Sequence, residues 1–306
     1  MGKTILVLVM ILIQIIAVIP AAPDVSHLDA SKEYFYSDVS NGDGNQNKWA
    51  IFITAGGGPT YEHHEKRDRN DVKDLKSALI NHGWQEDHIL TLLEEEATEN
   101  AILNESFEWL NGKGEEEDDL VFIYFSMHGT NHTIDEAPLD EPDGKDEIIF
   151  PWDKEYGGWN LDKFIVDDML AEKFDLLHSQ NIVIVFHTCH AGGMIDGASD
   201  FAKSGRVVLT SCDVNEGSIM LFLIKHWLFP YYLIHGLDGN ADKNKDHWVS
   251  AEELFYYTEF PVALHSAFLY FLVSARIVPQ HPQLYDGWPS EENNGAELNL
   301  INLERL

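Results

Sequence analysis

The sequence predicts an α/β fold with a mostly parallel central sheet flanked by helices on both faces. Five short runs are apolar throughout, as in strands that are covered on both sides, and segments with helical periodicity separate most of them. Such an alternation is typical of parallel sheets. The predicted strands are 48–54, 88–93, 119–125, 182–186 and 206–210. The predicted helices are 70–82, 98–111 and 161–177.

The N-terminus carries the pattern of a secretory signal. Lys3 precedes an apolar run over 5–19, and the small residues Ala21 and Ala22 follow it. We therefore expect an exported or cell-surface protein, with membrane contact only through an uncleaved N-terminal anchor. The predicted organisation is a signal peptide at 1–22, a linker at 23–48, a core domain at 49–216 and a C-terminal helical region at 217–306.

Composition limits the classes of partner. The formal charge of −32 comes from 52 acidic and 20 basic residues, which argues against nucleic acid as a ligand. The acid excess fits a solvated surface, and it also fits the binding of hard cations. Only Cys189 and Cys212 are present, so the chain is not a disulfide scaffold, although one disulfide between them is an open alternative.

Two predicted strands end in reactive residues. One is followed by His128-Gly129, and the other leads into Cys189 within the stretch HTCHAGG. The carboxyl ends of parallel strands share one crevice, so His128 could activate the Cys189 thiol while the Gly129 N–H polarises a carbonyl. Two alternatives are a buried structural thiol and a zinc site of His187, Cys189, His190 and His128. Adjacent side chains on a strand end point to opposite faces, which disfavours zinc.

The order of these motifs resembles the caspase, metacaspase and legumain group of cysteine peptidases. The similarity extends over about 49–216, and Asn70-Asp71, 143–153, 166–168 and 209–213 make it closest to metacaspases. The resemblance implies a caspase-haemoglobinase-like fold and a polypeptide substrate. It also implies that Cys189 is the nucleophile, that His128 is the acid/base, and that the Gly129 and Cys189 amides form the oxyanion hole.

The resemblance also implies an acidic pocket that selects Arg or Lys at P1, the residue before the scissile bond. Asp71 matches one pocket carboxylate, but His187 stands two residues before the nucleophile, where the second is usual. Asp213 or Glu216 could supply the missing charge. Arg67 is placed as in legumains and would favour Asn or Asp at P1 instead. We expect a basic P1, with the legumain-like preference as the alternative.

A twelve-residue stretch at 242–253 resembles an EF-hand calcium loop. Oxygen ligands recur at the positions that Ca²⁺ requires, with a carboxylate at the twelfth. The predicted ligands are Asp242, Asn244, Asp246, the Trp248 carbonyl, Ser250 and Glu253. His247 replaces the usual glycine at a left-handed position, which costs about 1 kcal/mol and is expected to weaken binding. The alternative is an acidic, solvated loop that caps a helix at Ser250.

A second calcium site follows from the resemblance to metacaspases alone. The carboxylates of Asp146, Asp167, Asp168 and Asp196 match those that bind activating calcium in that family. Four such charges repel unless a cation neutralises them.

The apolar run at 219–237 is expected to form a buried helix kinked near Pro230.

Together these features predict an exported, calcium-responsive cysteine endopeptidase. A non-catalytic calcium-binding protein on the same fold is the main rival, because His187 departs from the family pattern. A zinc-dependent hydrolase that uses the histidine and cysteine cluster is the third hypothesis.

Overall fold

The computed structural model describes residues 46–56, 62–132, 134–135, 138–139, 141–153, 164–197, 200–220, 224–272, 278–290 and 295–304. The predicted signal peptide and most of the predicted linker lie outside these residues. Within the described part of the chain, no helix combines the length and the apolar character that crossing a membrane requires.

A six-stranded sheet forms the centre of the molecule, in the order β10-β8-β7-β3-β1-β2. The five predicted strands are all present and mutually parallel, and β10 pairs antiparallel with β8 at one edge. This arrangement confirms the predicted α/β class. The strands of this sheet are β1 (Lys48–Ala55), β2 (Ile89–Leu93), β3 (Leu120–Met127), β7 (Asn181–His187), β8 (Arg206–Thr210) and β10 (Gln283–Asp286).

Within the described residues, five helices cover the sheet and its edges. They are α1 (Glu62–Asn81), α2 (Ser106–Gly112, preceded by a wide turn at Ala101–Glu105), α3 (Asp167–Phe174), α4 (Leu228–His235) and α5 (Ala251–Leu272). Shorter helical turns lie at Glu86–His88, Glu94–Glu96, Ala191–Ile195 and Gly236–Asn240. Helix α1 begins eight residues before the predicted start at 70, and α3 is shorter than the predicted 161–177.

Side chains that alternate along the strands divide the core into two layers. Phe52 on β1 points to the layer that contains residues of α1, α4 and α5. Its neighbours Ile51 and Ile53 point to the layer that contains residues of α2 and α3. Successive strand residues face opposite sides of a sheet, and both sides here are buried, so the strands are apolar at every position.

Two small sheets lie outside the central one. The first has the order β4-β5-β6, with β4 at Gly129–Asn131, β5 at Glu147–Ile149 and β6 at Ile165–Val166. It begins immediately after His128 and therefore starts at the carboxyl end of β3. The second pairs β9 (Trp248–Ser250) with β11 (Asn299–Asn302).

The C-terminal region differs from its prediction. The predicted helix over 219–237 is wrong for the described residues before 228, because Met220 and Trp227 form an antiparallel bridge and α4 starts after Trp227. Residues 221–223 lie outside the described part of the chain. Pro230 lies in the first turn of α4, where its missing N–H breaks no intrahelical bond. Residues from 217 onward also share the compact unit of the core, and β10 extends the central sheet.

Substitution of Phe186 should show how strongly the sheet depends on its aromatic packing. Phe186 is fully buried, stacks on Phe125 at 5.0 Å between ring centroids, and meets Phe201 edge-on at 4.8 Å. We expect Phe186→Ala to lower the free energy of unfolding in urea by about 3–5 kcal/mol, because the cavity cannot fully collapse. Phe260→Ala, at a half-exposed position on α5, should change it by less than about 0.5 kcal/mol. Equal effects of the two substitutions would contradict this account.

Candidate active site

A cavity of about 280 Å³ opens at the carboxyl ends of β1, β3 and β7. It brings together His128 and Cys189, as the sequence predicts from the two strand ends. Its wall is formed by Gly56, His64, Asp68, Ser126, Met127, His128, His187, Thr188, Cys189, Ser218, Met220 and Trp227. The β3–β7 register pairs Ser126 with His187, so their side chains emerge side by side at the bottom of the cavity.

A tight turn after β7 presents Cys189. His190 adopts a left-handed conformation with φ of 61°, its amide donates to the Glu216 carbonyl at 2.8 Å, and its ring contacts the Val214 carbonyl at 2.6 Å. These contacts anchor the turn to the loop that follows β8. Burial raises the pKa of the Cys189 thiol, and a backbone hydrogen bond from Ser218 opposes that shift. The raised pKa favours the neutral thiol at Cys189.

The other half of the dyad, His128, follows β3 directly. Burial lowers its pKa to about 4, with a further contribution from the nearby His64, while a hydrogen bond to the Gly56 backbone acts in the opposite direction. The imidazole is therefore uncharged at neutral pH. A neutral imidazole beside a neutral thiol can accept the thiol proton as the sulfur attacks, which is what a general base must do.

No residue larger than glycine fits at position 129. A Cβ added to Gly129 would overlap Thr188 Oγ1 and would lie only 2.9 Å from the Cys189 carbonyl oxygen. The start of β4 and the Cys189 turn are thus in direct contact. This close approach places the Gly129 backbone beside the nucleophile, as an oxyanion-hole donor requires.

The floor of the cavity is a hydrogen-bonded chain of three buried side chains. Ser126 Oγ donates to Asp68 Oδ1 at 2.8 Å and lies 2.8 Å from His187 Nδ1. Because the Ser126 proton is given to Asp68, Nδ1–H of His187 donates to Ser126, and His187 Nε2 is left as an acceptor. Trp227 Nε1 also donates to Asp68 Oδ1 at 2.8 Å. Asp68 Oδ2 and His187 Nε2 have no hydrogen-bond partner among the described residues.

Burial determines the charge state of this floor. It lowers the pKa of His187 to about 3, so the imidazole is neutral. It also raises the pKa of Asp68, and the neighbouring carboxylates of Glu94 and Asp71 raise it further. The pocket therefore contains two buried acceptor atoms and an electrostatic environment that would favour a cationic donor.

The other predicted pocket residues lie away from this cavity. Asp71 is fully buried behind the wall, where His226 Nδ1 binds Oδ1 at 2.6 Å and the Trp227 amide donates to Oδ2 at 3.3 Å. Burial raises its pKa to about 7. Asp71 thus positions Trp227, which itself lines the cavity. Arg67 and Asp213 are not among the lining residues.

The carboxylate that sequence analysis missed is Asp68. It lies three residues before Asp71 on α1, so both side chains face the same side of the helix. The spacing of Asp68 and Asp71 is the sequence signal that points to this carboxylate. A helix predicted to begin at 70 leaves Asp68 in a loop and hides that signal.

The structure contradicts the zinc and disulfide alternatives. His187 contacts Ser126, whereas the His190 ring contacts a backbone carbonyl on the loop after β8. Within the described ranges, no group of three or more metal-ligating side chains includes His187, Cys189 or His190. Both cysteines are free, and the buried Cys212 thiol donates to the Thr188 carbonyl at 3.3 Å.

The acidic residues expected to bind a second calcium lie in two neighbouring groups. Asp146, Asp167 and Asp168 place one oxygen each within 4.8 Å of one another. Asp196 falls instead into a group with Glu141 and Glu147. Oxygen donors at this spacing fit a hard cation such as Ca²⁺. These groups lie around β5 and the beginning of α3.

The predicted calcium loop connects α4 to α5, as a helix–loop–helix unit would. His247 adopts a φ of 70°, so the position that normally holds glycine is left-handed, as expected. The carboxylates bind backbone amides of the loop: Asp242 accepts from Lys245 at 2.8 Å, and Glu253 accepts from Lys243 at 3.0 Å. Among described residues, the acids of 242–253 do not form a group of three within 4.8 Å.

Known proteins give the family context of this site. Residues 53–198 match the family model "Metacaspase, peptidase C14 domain". Metacaspase-1 of Lodderomyces elongisporus is 31% identical over 138 residues, which cover 42% of this chain and 29% of that protein. Metacaspase-3 of Arabidopsis thaliana is 31% identical over 133 residues, which cover 42% of this chain and 35% of that protein. The match thus spans about a third of the length of these curated relatives.

A solved structure supports the fold alone. Protein GSU0716 from Geobacter sulfurreducens superposes with a TM-score of 0.51 at 15% identity, covering 82% of this chain and 99% of that one. Together with the cavity that joins His128 and Cys189, the family match confirms the resemblance. The chain is therefore caspase/metacaspase-like, and residues 53–198 are the part that is similar to a metacaspase peptidase C14 domain.

Proposed function

We propose that the chain is a cysteine endopeptidase that uses Cys189 as nucleophile and His128 as acid and base. The observation that carries this proposal is the single cavity that contains both side chains, with Gly129 in contact with the Cys189 turn. A neutral imidazole and a neutral thiol in one crevice are suited to acyl transfer.

The proposed reaction has two halves. Cys189 Sγ attacks the scissile carbonyl carbon while His128 takes the thiol proton, and the carbonyl oxygen becomes an oxyanion that the Gly129 and Cys189 amides stabilise. His128 then gives the proton to the leaving amine, and the C–N bond breaks to leave a thioester on Cys189. A water molecule, deprotonated by His128, attacks the thioester, and Cys189 leaves as the thiol with the proton returned.

The cavity floor supports a basic P1 residue. A Lys or Arg side chain has only N–H donors at its end, and the floor presents two buried acceptors, Asp68 Oδ2 and His187 Nε2. An acidic P1 side chain would instead be repelled by the Asp68 carboxylate, which lines the cavity. Arg67, which would favour the legumain-like alternative, does not line the cavity.

Calcium responsiveness is part of the proposal. Asp146, Asp167 and Asp168 offer the closely spaced oxygens that would hold Ca²⁺, and Asp196 belongs to the adjoining group. The cation would neutralise carboxylates close to the turn that bears Cys189. Export of the chain remains a proposal from the N-terminal sequence.

A panel of peptides tests this function. The chain from residue 23 would be assayed against fluorogenic peptides with Arg, Lys, Asn or Asp at P1, each with calcium and with a chelator. We expect hydrolysis of the Arg and Lys peptides in calcium. If none is cleaved while calcium still binds, the non-catalytic calcium-binding protein becomes the better account.

The EF-hand-like loop makes a separate prediction about stability. Because a ligand that binds only the folded state stabilises it, millimolar Ca²⁺ should raise the melting temperature by a few degrees. Glu253→Gln should remove part of that rise, since Glu253 is the twelfth-position ligand. Glu259→Gln, exposed on the same helix, is the matched control. A calcium-induced rise that is identical in both variants would rule out cation binding at this loop.

A further inference from the structure

Seven acidic side chains gather beside the helical turn Ala191–Ile195 that follows Cys189. They form three overlapping groups, and in each group three residues place one carboxylate oxygen each within 4.8 Å of one another. The groups are Asp146 with Asp167 and Asp168, Glu141 with Asp167 and Asp200, and Glu141 with Glu147 and Asp196. One cation at the first group would not be bound by Glu141, Glu147, Asp196 or Asp200.

Glu147 on β5 points to a ligand beyond that first group. Its residue exposure is only 2%, and neither of its carboxylate oxygens has a hydrogen-bond partner among the described residues. Its own amide donates to Asp167 Oδ2 at 2.6 Å, which holds the two residues together. An ionised carboxylate that is buried without a partner is costly, so a proton or a cation must accompany it.

The spacing of the neighbouring carboxylates strengthens the same requirement. Glu147 shares one group with Glu141 and Asp196, and its amide is bound to Asp167, which belongs to the two other groups. Carboxylates at such short range repel one another unless a cation neutralises them, and carboxylate oxygens are the preferred ligands of hard cations.

We propose that this acidic centre binds two hard divalent cations, the second one held by Glu141, Glu147, Asp196 and Asp200. Asp167 lies between the two sites, because it belongs both to the group with Asp146 and Asp168 and to a group with Glu141. The second site goes beyond the calcium site of the proposed function, and it does not depend on peptidase activity.

The position of the second site gives it a structural role. Glu141 precedes β5, and Glu147 is its first residue. Asp196 and Asp200 instead follow the helical turn Ala191–Ile195, which comes after Cys189. Glu147 packs so closely on that turn that a Cβ at Gly193 would overlap its carboxylate. A cation here joins the two segments and braces the backbone four residues after the nucleophile.

Calcium stoichiometry tests the proposal directly. Titration calorimetry would use the full chain carrying Cys189→Ala, to prevent self-cleavage, and Glu253→Gln, to silence the EF-hand-like loop. We expect two Ca²⁺ per chain in this background. Adding Glu147→Gln should remove the Ca²⁺ of the second site, and adding Asp168→Asn should remove that of the first. A background stoichiometry of one, or two sites that persist with Glu147→Gln, would overturn the proposal.

Melting temperature provides a second readout that needs no activity. In chelator, Glu147→Gln should melt higher than the background, because it removes an unpaired buried carboxylate. In calcium it should gain less than the background does. Glu141→Gln, at a less buried position, repeats the test if Glu147→Gln does not fold, and Glu172→Gln on the exposed side of α3 is the control. Equal calcium gains in Glu141→Gln and Glu172→Gln would contradict a second cation.

Discussion

Cys189→Ala is expected to lower kcat/KM for peptide hydrolysis by about 10⁴-fold or more, because Cys189 is the only thiol among the described residues that line the cavity. Cys212→Ala is the matched control. Cys212 is the second thiol of the chain and is fully buried beneath the same turn, where burial raises its pKa to about 12. Its removal should leave kcat/KM within about tenfold, and any larger loss should follow a fall in stability.

The partner substitution, His128→Ala, should produce a loss of similar size, and the double variant Cys189→Ala/His128→Ala should be little worse than either single one. Residues that act as one unit show such non-additivity. Losses that multiply in the double variant would mean that His128 acts independently of the thiol. Hydrolysis by Cys189→Ala within tenfold of wild type would reject the thiol mechanism altogether.

The parallel strands and the dyad could be predicted because each depends on a local pattern. A run such as 182–186 is apolar at every position because β7 is covered on both faces, and this requirement is visible without knowing the fold. The dyad follows from the same pattern, since His128 and Cys189 stand just beyond the ends of two such runs. Parallel strands bring those ends to one edge of the sheet.

The wall of the pocket could not be predicted, because it depends on contacts between distant segments. The apolar run at 219–237 predicts one helix, yet Met220 and Trp227 lie before α4 and line the cavity. Their apolar character serves the pocket rather than a helix–sheet interface. Trp227 is held there by Asp68 and Asp71, which lie more than 150 residues away in sequence.

The pocket carboxylate at Asp68, in place of one at position 187, also depends on a contact between distant segments. The family pattern directs attention to position 187, where this chain has histidine. The structure shows that the carboxylate reaches the same floor from α1 through Ser126. Helix α1 supplies Asp68 from the opposite side of the cavity, so no spacing along the sequence relates it to Cys189.

Asp68→Asn tests whether this carboxylate selects the basic P1 residue. The substitution keeps Oδ1 as an acceptor for Ser126 and Trp227. It replaces Oδ2, which has no hydrogen-bond partner among the described residues, with an N–H₂ donor in the proposed P1 pocket. We expect kcat/KM for Arg and Lys peptides to fall by about 10²-fold, equivalent to about 2.7 kcal/mol, because a charge-assisted contact becomes a donor–donor clash. A peptide with uncharged citrulline at P1 should change by less than about threefold. Glu65→Gln, on the same helix and paired with Arg69 outside the cavity lining, is the control.

A carboxylate introduced at position 187 should restore the negative charge that Asp68→Asn removes. In Asp68→Asn/His187→Asp, the new carboxylate stands two residues before Cys189, and the preference for Arg over citrulline should recover by at least tenfold.

The pH profile gives an independent check. Burial and the charges of Glu94 and Asp71 raise the pKa of Asp68. As the pH falls, Asp68 is therefore protonated at a higher pH than an ordinary aspartate, and activity on Arg peptides should decline at that higher pH. That decline should be absent for citrulline peptides. Equal losses on Arg and citrulline peptides, with no recovery in the double variant, would mean that Asp68 only supports the pocket wall and that another group recognises P1.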